Sequence, residues 1–174
     1  MTTIEREPSV ASVALKYGLL FGLIGVIYQV ILMVTDVGDN RWLSSLGFII
    51  LIVGIVVAMK SYKDQNLGYM SYGQGLGIGT LLSAVYGFFN GLFTWIYTEF
   101  VDTEYMARMM EKQRVQMLEQ GLSDEQVDAG MAMAENFQGP LVTIGGATVV
   151  TLIIGFILSL IISAIIKNSR PEFE

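Results

Sequence analysis

The chain has 174 residues, of which 53% are hydrophobic and 15% charged, with a formal net charge of −6 and a mean hydropathy of +0.57. Soluble domains carry about 25% charged residues, so this composition favours a membrane protein. The absence of histidine and cysteine from the sequence excludes imidazole bases, thiol nucleophiles, disulfides and the zinc or iron–sulfur sites that these residues build.

Four apolar runs predict a bundle of four membrane-spanning helices. They cover about residues 13–34, 43–59, 76–97 and 141–166, and none holds a charged residue well inside the run. A helix needs about 20 apolar residues to cross a hydrocarbon layer of roughly 30 Å. The second run, with 17 residues, lies at the lower limit, and a re-entrant or interfacial helix is the alternative for it. We expect residues 1–174 to form a single, all-α integral membrane domain.

Small residues recur at a spacing of four along three of these runs. Residues four apart share one face of an α-helix, and helices in lipid associate through closely packed faces of small residues. We therefore predict that the third and fourth spans cross tightly and that the first span joins them, although packing between two chains is the alternative. The series are Ala14, Gly18, Gly22 and Gly25 in the first run; Ser71, Gly75, Gly79, Ser83, Gly87 and Gly91 in the third; and Thr143, Ala147, Thr151, Gly155, Ser159 and Ser163 in the fourth.

Uncharged polar residues inside the spans predict a hydrogen-bonded layer. Gln29, Asn90 and Thr151 fall at similar depths when each helix rises 1.5 Å per residue. Hydrogen bonds between membrane helices contribute around 0.6–2 kcal/mol each. We interpret the layer as a structural link between helices, with a contact to a substrate as the alternative.

The distribution of basic residues predicts an orientation. With four spans, both termini and the loop 60–75 lie on one side of the membrane, together with six of the ten basic residues. Lysine and arginine near span ends favour the cytoplasmic side. We expect both termini in the cytoplasm and the loop between the third and fourth spans outside it.

The loop that precedes the third span combines aromatic and charged side chains suited to the lipid headgroup layer. It is interpreted either as a structural turn or as a contact site for a lipid or protein partner. The residues concerned are Lys60, Tyr62, Lys63, Asp64, Tyr69 and Tyr72.

Residues 102–138 predict an amphipathic helical hairpin between the third and fourth spans. Gly121 favours a helix end, and Ser123 with Gln126 forms a capping box that begins a second helix. Most of the chain's methionines lie here, and methionine is common on surfaces that bind varied partners. The candidates for partner or lipid contact are Met106, Met109, Met110 and Met117. The alternative is that the apolar faces pack on each other or on the membrane surface.

Two segments carry a resemblance to a known family. They are Lys60-Ser61-Tyr62-Lys63-Asp64 with Gly68-Tyr69-Met70-Ser71-Tyr72-Gly73-Gln74-Gly75, and Glu111 with Gln116-Met117-Leu118-Glu119-Gln120-Gly121-Leu122-Ser123-Asp124-Glu125-Gln126. Together with the four spans, they resemble a bacterial membrane family, domain of unknown function 4199, over nearly the whole chain. The resemblance implies an inner-membrane protein with no assigned activity. Members are often encoded beside glycosyltransferases that act on lipid-linked sugars, which suggests an accessory subunit.

We therefore expect a non-catalytic accessory or scaffold subunit of the bacterial inner membrane. It would act through helix and hairpin contacts with a protein partner or a second copy, and the resemblance suggests a glycosyltransferase or lipid-linked sugar pathway. A carrier or flippase for a neutral or lipid-like substrate is the alternative, using the layer of Gln29 and Asn90. An enzyme is disfavoured because the sequence shows no catalytic pair, and we expect no cofactor, metal site or nucleic-acid partner.

Overall fold

The computed structural model describes residues 8–38, 40–135 and 139–170, without the side chains of Arg41 and Glu135. Within these residues the chain forms six α-helices and no β-strand, which confirms the predicted all-α class. A π-helical segment, Tyr97–Val101, continues directly from the third helix. The helices are α1 (Val10–Val34), α2 (Arg41–Gln65), α3 (Tyr72–Ile96), α4 (Tyr105–Glu119), α5 (Asp124–Glu135) and α6 (Pro140–Ile166).

Four of the described helices are long and apolar enough to cross a membrane: α1, α2, α3 with its π-helical extension, and α6. The second span is longer than its apolar run, because α2 continues through the polar residues Lys60–Gln65. Its 24 residues, Trp42–Gln65, correspond to about 36 Å at 1.5 Å per residue, which exceeds the roughly 30 Å hydrocarbon layer. The short apolar run therefore belongs to a helix of full spanning length.

The spans alternate in direction along the chain, so their connections fall at the two ends of the bundle. We call the end that holds the α2–α3 connection and residues 167–170 the terminal side. The end that holds the α1–α2 connection, α4 and α5 is the hairpin side. α3 is central: it packs most extensively on α6, then on α1, and also contacts α2.

The small residues of α3 and α6 meet in a continuous antiparallel contact, which we call the seam. Each step of four residues along α3 is matched by a step of four back along α6. At every level, a Cβ atom added to the glycine would collide with the facing side chain. The facing pairs are Gly75 with Ser163, Gly79 with Ser159, Ser83 with Gly155, Gly87 with Thr151, and Gly91 with Ala147.

The two faces of α6 have opposite roles. Ser159 and Ser163 are fully buried in the seam, whereas Ile157 and Ile161, two positions away along the helix, are more than half exposed. A step of two residues turns an α-helix to its opposite face. The small residues therefore face α3, and the branched aliphatic residues are left for lipid.

The terminal end of the seam is closed by a backbone contact. The amide of Met70 donates a 2.8 Å hydrogen bond to the carbonyl of Asn168, and the amide of Asn168 returns one of 2.9 Å to Met70. Lys63 Nζ donates to the carbonyl of Ile166 at 2.9 Å, and so satisfies a free carbonyl at the end of α6. We call these contacts, together with those of Arg170 below, the terminal clasp.

Several residues that were candidates for partner or lipid contact instead make contacts within the protein, in the terminal clasp. Arg170 donates to Asn66 Oδ1 at 3.1 Å and lies over the ring of Tyr69, 5.6 Å from its centroid. Tyr62 is only 1% exposed and belongs to the core, so its assignment as a contact residue is wrong. Lys60 and Asp64 are exposed, as is Tyr72. The loop therefore has the features of the structural turn.

A capping box starts α3 immediately after the clasp. Ser71 Oγ accepts from the amide of Gln74 at 3.2 Å, and Gln74 Oε1 accepts from the amide of Ser71 at 2.8 Å. These two bonds satisfy backbone donors that a helix start leaves free. The third span consequently begins at Tyr72, four residues before the predicted boundary.

α1 packs on α3 through its glycines. A Cβ added to Gly18 would lie 2.8 Å from Cβ of Val85, and one added to Gly25 would lie 2.6 Å from the hydroxyl of Tyr86. Between them, Gly22 sits in ordinary contact with Phe89. The glycine series of α1 thus meets the larger side chains of α3, on a different face from the seam.

The hairpin packs on itself through a small apolar centre. Val127 of α5 is fully buried, and the Met117 side chain lies over Gly130. Gly121, with a φ of +85°, ends α4 in the left-handed conformation that favours glycine, and Ser123 and Gln126 form the capping box of α5. Residues 136–138, the predicted end of the hairpin, lie outside the described residues.

Polar and aromatic contacts hold the base of α4. The rings of Tyr97 and Tyr105 meet edge to face at 5.9 Å, and Lys112 Nζ lies 3.0 Å from the carboxylate of Asp36 in the α1–α2 connection. Asp102 forms a bidentate ion pair with Arg108. Hydrogen bonding to the Arg108 guanidinium is the largest effect that lowers the pKa of the Asp102 carboxyl, so this group is ionised at neutral pH.

The seam can be tested by comparing two glycines of α6. We expect Gly155→Leu to lower the melting temperature in detergent clearly, because overpacking costs about 1–3 kcal/mol and the added atoms meet Ser83 of the neighbouring helix. Gly146→Leu is the matched control, since nothing lies within 4 Å of a Cβ added there. Equal melting temperatures for the two variants would contradict the packing.

Candidate ligand crevice on the hairpin side

A tyrosine of α3 bridges two glycines on the hairpin side of the bundle. The Tyr86 side chain passes over Gly25 of α1, and its hydroxyl donates to the carbonyl of Gly47 in α2 at 3.3 Å. A side chain at position 25 would occupy the space of the tyrosine ring. The absence of a side chain at Gly25 therefore allows Tyr86 to reach from α3 to the backbone of α2.

Tyr86 divides a crevice between α2 and the other spans into two compartments, which we call the polar crevice. One compartment has a volume of about 170 Å³ and lies towards α1; the other, of about 180 Å³, lies towards α6. Ser44, Gly47, Tyr86 and Asn90 line both. The remaining lining residues are Gly25, Tyr28, Gln29 and Leu32 in the first compartment, and Phe48, Leu51 and Thr151 in the second.

A chain of hydrogen bonds joins α1 to α3 along the crevice. Gln29 Nε2 donates to Thr94 Oγ1 at 2.6 Å, and that hydroxyl donates to the carbonyl of Asn90 at 2.8 Å. Asn90 Nδ2 in turn donates to the carbonyl of Tyr86 at 2.8 Å. Because the Thr94 proton is used on a carbonyl, the hydroxyl accepts from the nitrogen of Gln29, which fixes the orientation of that amide.

The hydroxyls of the crevice are also bonded within the protein. Tyr28 donates to the carbonyl of Leu43 at 2.6 Å and Ser44 to that of Gly38 at 2.5 Å. In Gln29 and Asn90 the amide nitrogen makes the hydrogen bond, and the carboxamide oxygen points away from it. Each nitrogen also retains a second hydrogen. The crevice therefore presents two amides that can both accept and donate.

The polar residues inside the spans are thus connected differently from the layer predicted from the sequence. Gln29 and Asn90 are linked, but through the hydroxyl of Thr94, whereas Thr151 faces Gly87 in the seam and lines the second compartment. Thr94 lies four residues after Asn90, and Tyr86 four before it, so helical spacing was the signal that could have found both. Their partners on α1 and α2 had no comparable signal in the sequence.

Among the side chains that the structure describes, none that lines either compartment is acidic or basic. Within the described residues, no group of three or more acidic side chains could hold a metal ion either. The chemistry that the crevice presents is hydrogen bonding by amides and hydroxyls beside aromatic and aliphatic walls. Such a surface suits binding of an uncharged polar group.

A larger cavity, of about 330 Å³, lies between the hairpin and the ends of α3 and α6. Trp95 and Glu99 of the third span line it, together with Met106, Met110 and Gln113 of α4. Met106, Met109 and Met110 are half-buried, of which Met106 and Met110 line this cavity, and Met117 packs within the hairpin. The structure therefore places the candidate methionines along the inner side and base of the hairpin.

A protein-family model matches residues 16–168, from within α1 to the terminal clasp. Its description is "Protein of unknown function (DUF4199)". Comparisons with the curated proteins and with the solved structures give no match. The matched range contains both the polar crevice and the hairpin.

The link between α1 and α3 can be measured with a double-mutant cycle of Gln29→Leu and Thr94→Val. We expect a coupling of about 0.6–2 kcal/mol in the free energy of unfolding, because each single change already breaks the same interhelical hydrogen bond. Thr80→Val is the control in place of Thr94→Val, since the Thr80 hydroxyl donates to the carbonyl of Leu76 in its own helix. A coupling near zero for Gln29 with Thr94 would show that the bond does not stabilise the bundle.

Proposed function

The chain belongs to the DUF4199 family, whose function is unknown, and we propose that it is a non-catalytic accessory subunit that binds a protein partner through its hairpin. The proposed location is the bacterial cytoplasmic membrane, with both termini in the cytoplasm and the hairpin outside. The partner class that we propose, from the family resemblance, is a membrane glycosyltransferase of a lipid-linked sugar pathway.

The observation that carries this proposal is an exposed apolar stripe on the hairpin. Val115, Leu118 and Leu122 are 45%, 40% and 36% exposed, although their own hairpin contains a buried centre. Val115 and Leu118, three residues apart, lie on one side of α4, and Leu122 follows directly after Gly121, which ends the helix. Contiguous exposed apolar residues outside the spans mark surfaces that bind partners.

The packing of the seam within the chain also supports the hairpin as the surface that contacts a partner. The small-residue faces of α3 and α6 cover each other from Gly75 to Gly91, so they are not free for a second protein. α4 contains no buried residue within its described length, and its surface is available instead. The contact set that we propose is therefore the apolar stripe, in place of the predicted methionine face.

Ion pairs contribute to the attachment of the hairpin. Arg114 and Asp128 join α4 to α5 at 3.5 Å, and Lys112 joins α4 to Asp36, but these ion pairs are largely exposed. Exposed ion pairs stabilise a protein by less than about 1 kcal/mol. These two ion pairs therefore add little to the rigidity of the hairpin.

The polar crevice favours a second candidate, a carrier or flippase for a neutral or lipid-like substrate. Carriers commonly place such sites at discontinuous helices near the middle of the membrane. In the described residues, α1, α2 and α6 are continuous, and the π-helical segment lies at the end of α3. The continuous helices favour a fixed binding site, and hence the accessory role.

The proposed orientation can be tested with a matched pair of exposed glutamines. The sequence contains no cysteine, so Gln65→Cys and Gln120→Cys each create a unique thiol. In intact cells, a membrane-impermeant maleimide should label position 120 and leave position 65 unlabelled until the membrane is permeabilised. The reverse pattern would place the termini outside and contradict the orientation.

Partner binding can be tested by photocrosslinking from α4. A crosslinking amino acid at Leu118 or Leu122 should give the same discrete protein adduct, because both positions lie on the apolar stripe. Gln116, exposed and two residues from Leu118, is the control on the opposite side of the helix.

Val115→Asp should reduce the adduct formed from Leu122 by at least about fivefold without changing the melting temperature, since a buried unpaired charge at an interface costs more than 1 kcal/mol. Mass spectrometry identifies the partner and distinguishes a glycosyltransferase from a second copy of this chain. Equal adducts from all three positions, or none, would contradict a specific contact at the stripe.

A further inference from the structure

The polar crevice lies at a defined depth in the membrane. Gln29 is five residues before the end of α1, or about 8 Å along that helix. α1 itself is about 37 Å long, compared with roughly 30 Å of hydrocarbon. Gln29 therefore lies near the hydrocarbon boundary, next to the level at which lipid glycerol groups meet their acyl chains. Asn90, one turn before the Thr94 that bonds Gln29, lies about 6 Å deeper.

The lining of the crevice selects against a charged lipid headgroup. A phosphate group is bound by arginine, lysine or several backbone amides, and none of the described side chains that line the two compartments is basic. Burial of an unpaired charge at this depth would be costly. The occupant favoured by the lining is uncharged.

The two amides match a hydroxyl group. Each retains a carboxamide oxygen and one N–H hydrogen, since its other N–H is used on Thr94 or on the carbonyl of Tyr86. A hydroxyl donates one hydrogen bond and accepts others, so it can pair with both functions of an amide. Asn90 lines both compartments and is the central candidate for this contact.

The ring of Tyr86 separates the two compartments, so the crevice offers one compartment to each acyl chain of a two-chain lipid. Towards the middle of the membrane, one compartment is lined by Gly25 of α1 and the other by Phe48 of α2, which is 49% exposed. A polar group at Asn90 would lie where the compartments meet, with an apolar wall on each side of the tyrosine ring.

We propose that the polar crevice binds an uncharged two-chain lipid with a free hydroxyl, of which diacylglycerol is the simplest. The hydroxyl pairs with the amides of Asn90 and Gln29, and the acyl chains leave on either side of Tyr86. This lipid site is independent of the proposed hairpin contact, because it uses other residues and faces the membrane.

The test uses the full chain in phosphatidylcholine nanodiscs that contain a photoactivatable diacylglycerol. We expect labelled peptides from the crevice, and competition by unlabelled diacylglycerol but not by its methyl ether, which lacks the hydroxyl hydrogen. Asn90→Leu and Gln29→Leu should each lower the labelling roughly 3- to 30-fold, the range expected for one hydrogen bond in a membrane. Thr80→Val, whose hydroxyl bonds only within α3, should leave it within about twofold.

Several results would overturn the proposal. Equal competition by the methyl ether would show that the hydroxyl is not recognised. Equal labelling of the crevice by a photoactivatable phosphatidylcholine or phosphatidylglycerol would assign the site to phospholipids in general. Unchanged labelling in both Asn90→Leu and Gln29→Leu, with melting temperatures that show folded proteins, would exclude the amides as the contact.

Discussion

The close approach of α3 and α6 is the constraint on which the rest of the bundle depends. Glycine on one helix faces serine, threonine or alanine on the other at every level of the seam. In lipid, where apolar surface gains little by meeting more apolar surface, such contact between backbones supplies much of the attraction between helices. α1 then packs on a second face of α3, so three of the four spans are held along most of their length.

The position of α2 follows from that arrangement and creates the crevice. Its buried residues begin at Leu51, and those from Trp42 to Ile50 are at least partly exposed. The terminal half of α2 therefore packs on the bundle, while the hairpin half stands away from it. Tyr86 fills part of the resulting gap, because Gly25 leaves room for its ring, and its hydroxyl donates to the carbonyl of Gly47. The crevice is thus a consequence of packing that is tight at one end of α2 and open at the other.

Patterns within a single helix were predictable from sequence, and contacts between helices largely were not. The spacing of four in α3 and α6 indicated the seam, because helical geometry alone places those residues on one face. The full length of α2 was missed, since Lys60 and Lys63 interrupt its apolar run although a helix end in the headgroup layer tolerates them. The route of Tyr86 depends on Gly25 in another helix, and nothing local to Tyr86 records that proximity.

The same third span connects the crevice to the hairpin. Thr94, which bonds Gln29, lies one turn before Tyr97, and Tyr97 meets Tyr105 at the base of α4. Between these residues the helix changes from α to π, a rare geometry that occurs frequently at functional sites. The crevice and the base of the hairpin are therefore attached to neighbouring turns of one helix, while the residues that carry the two proposals remain different.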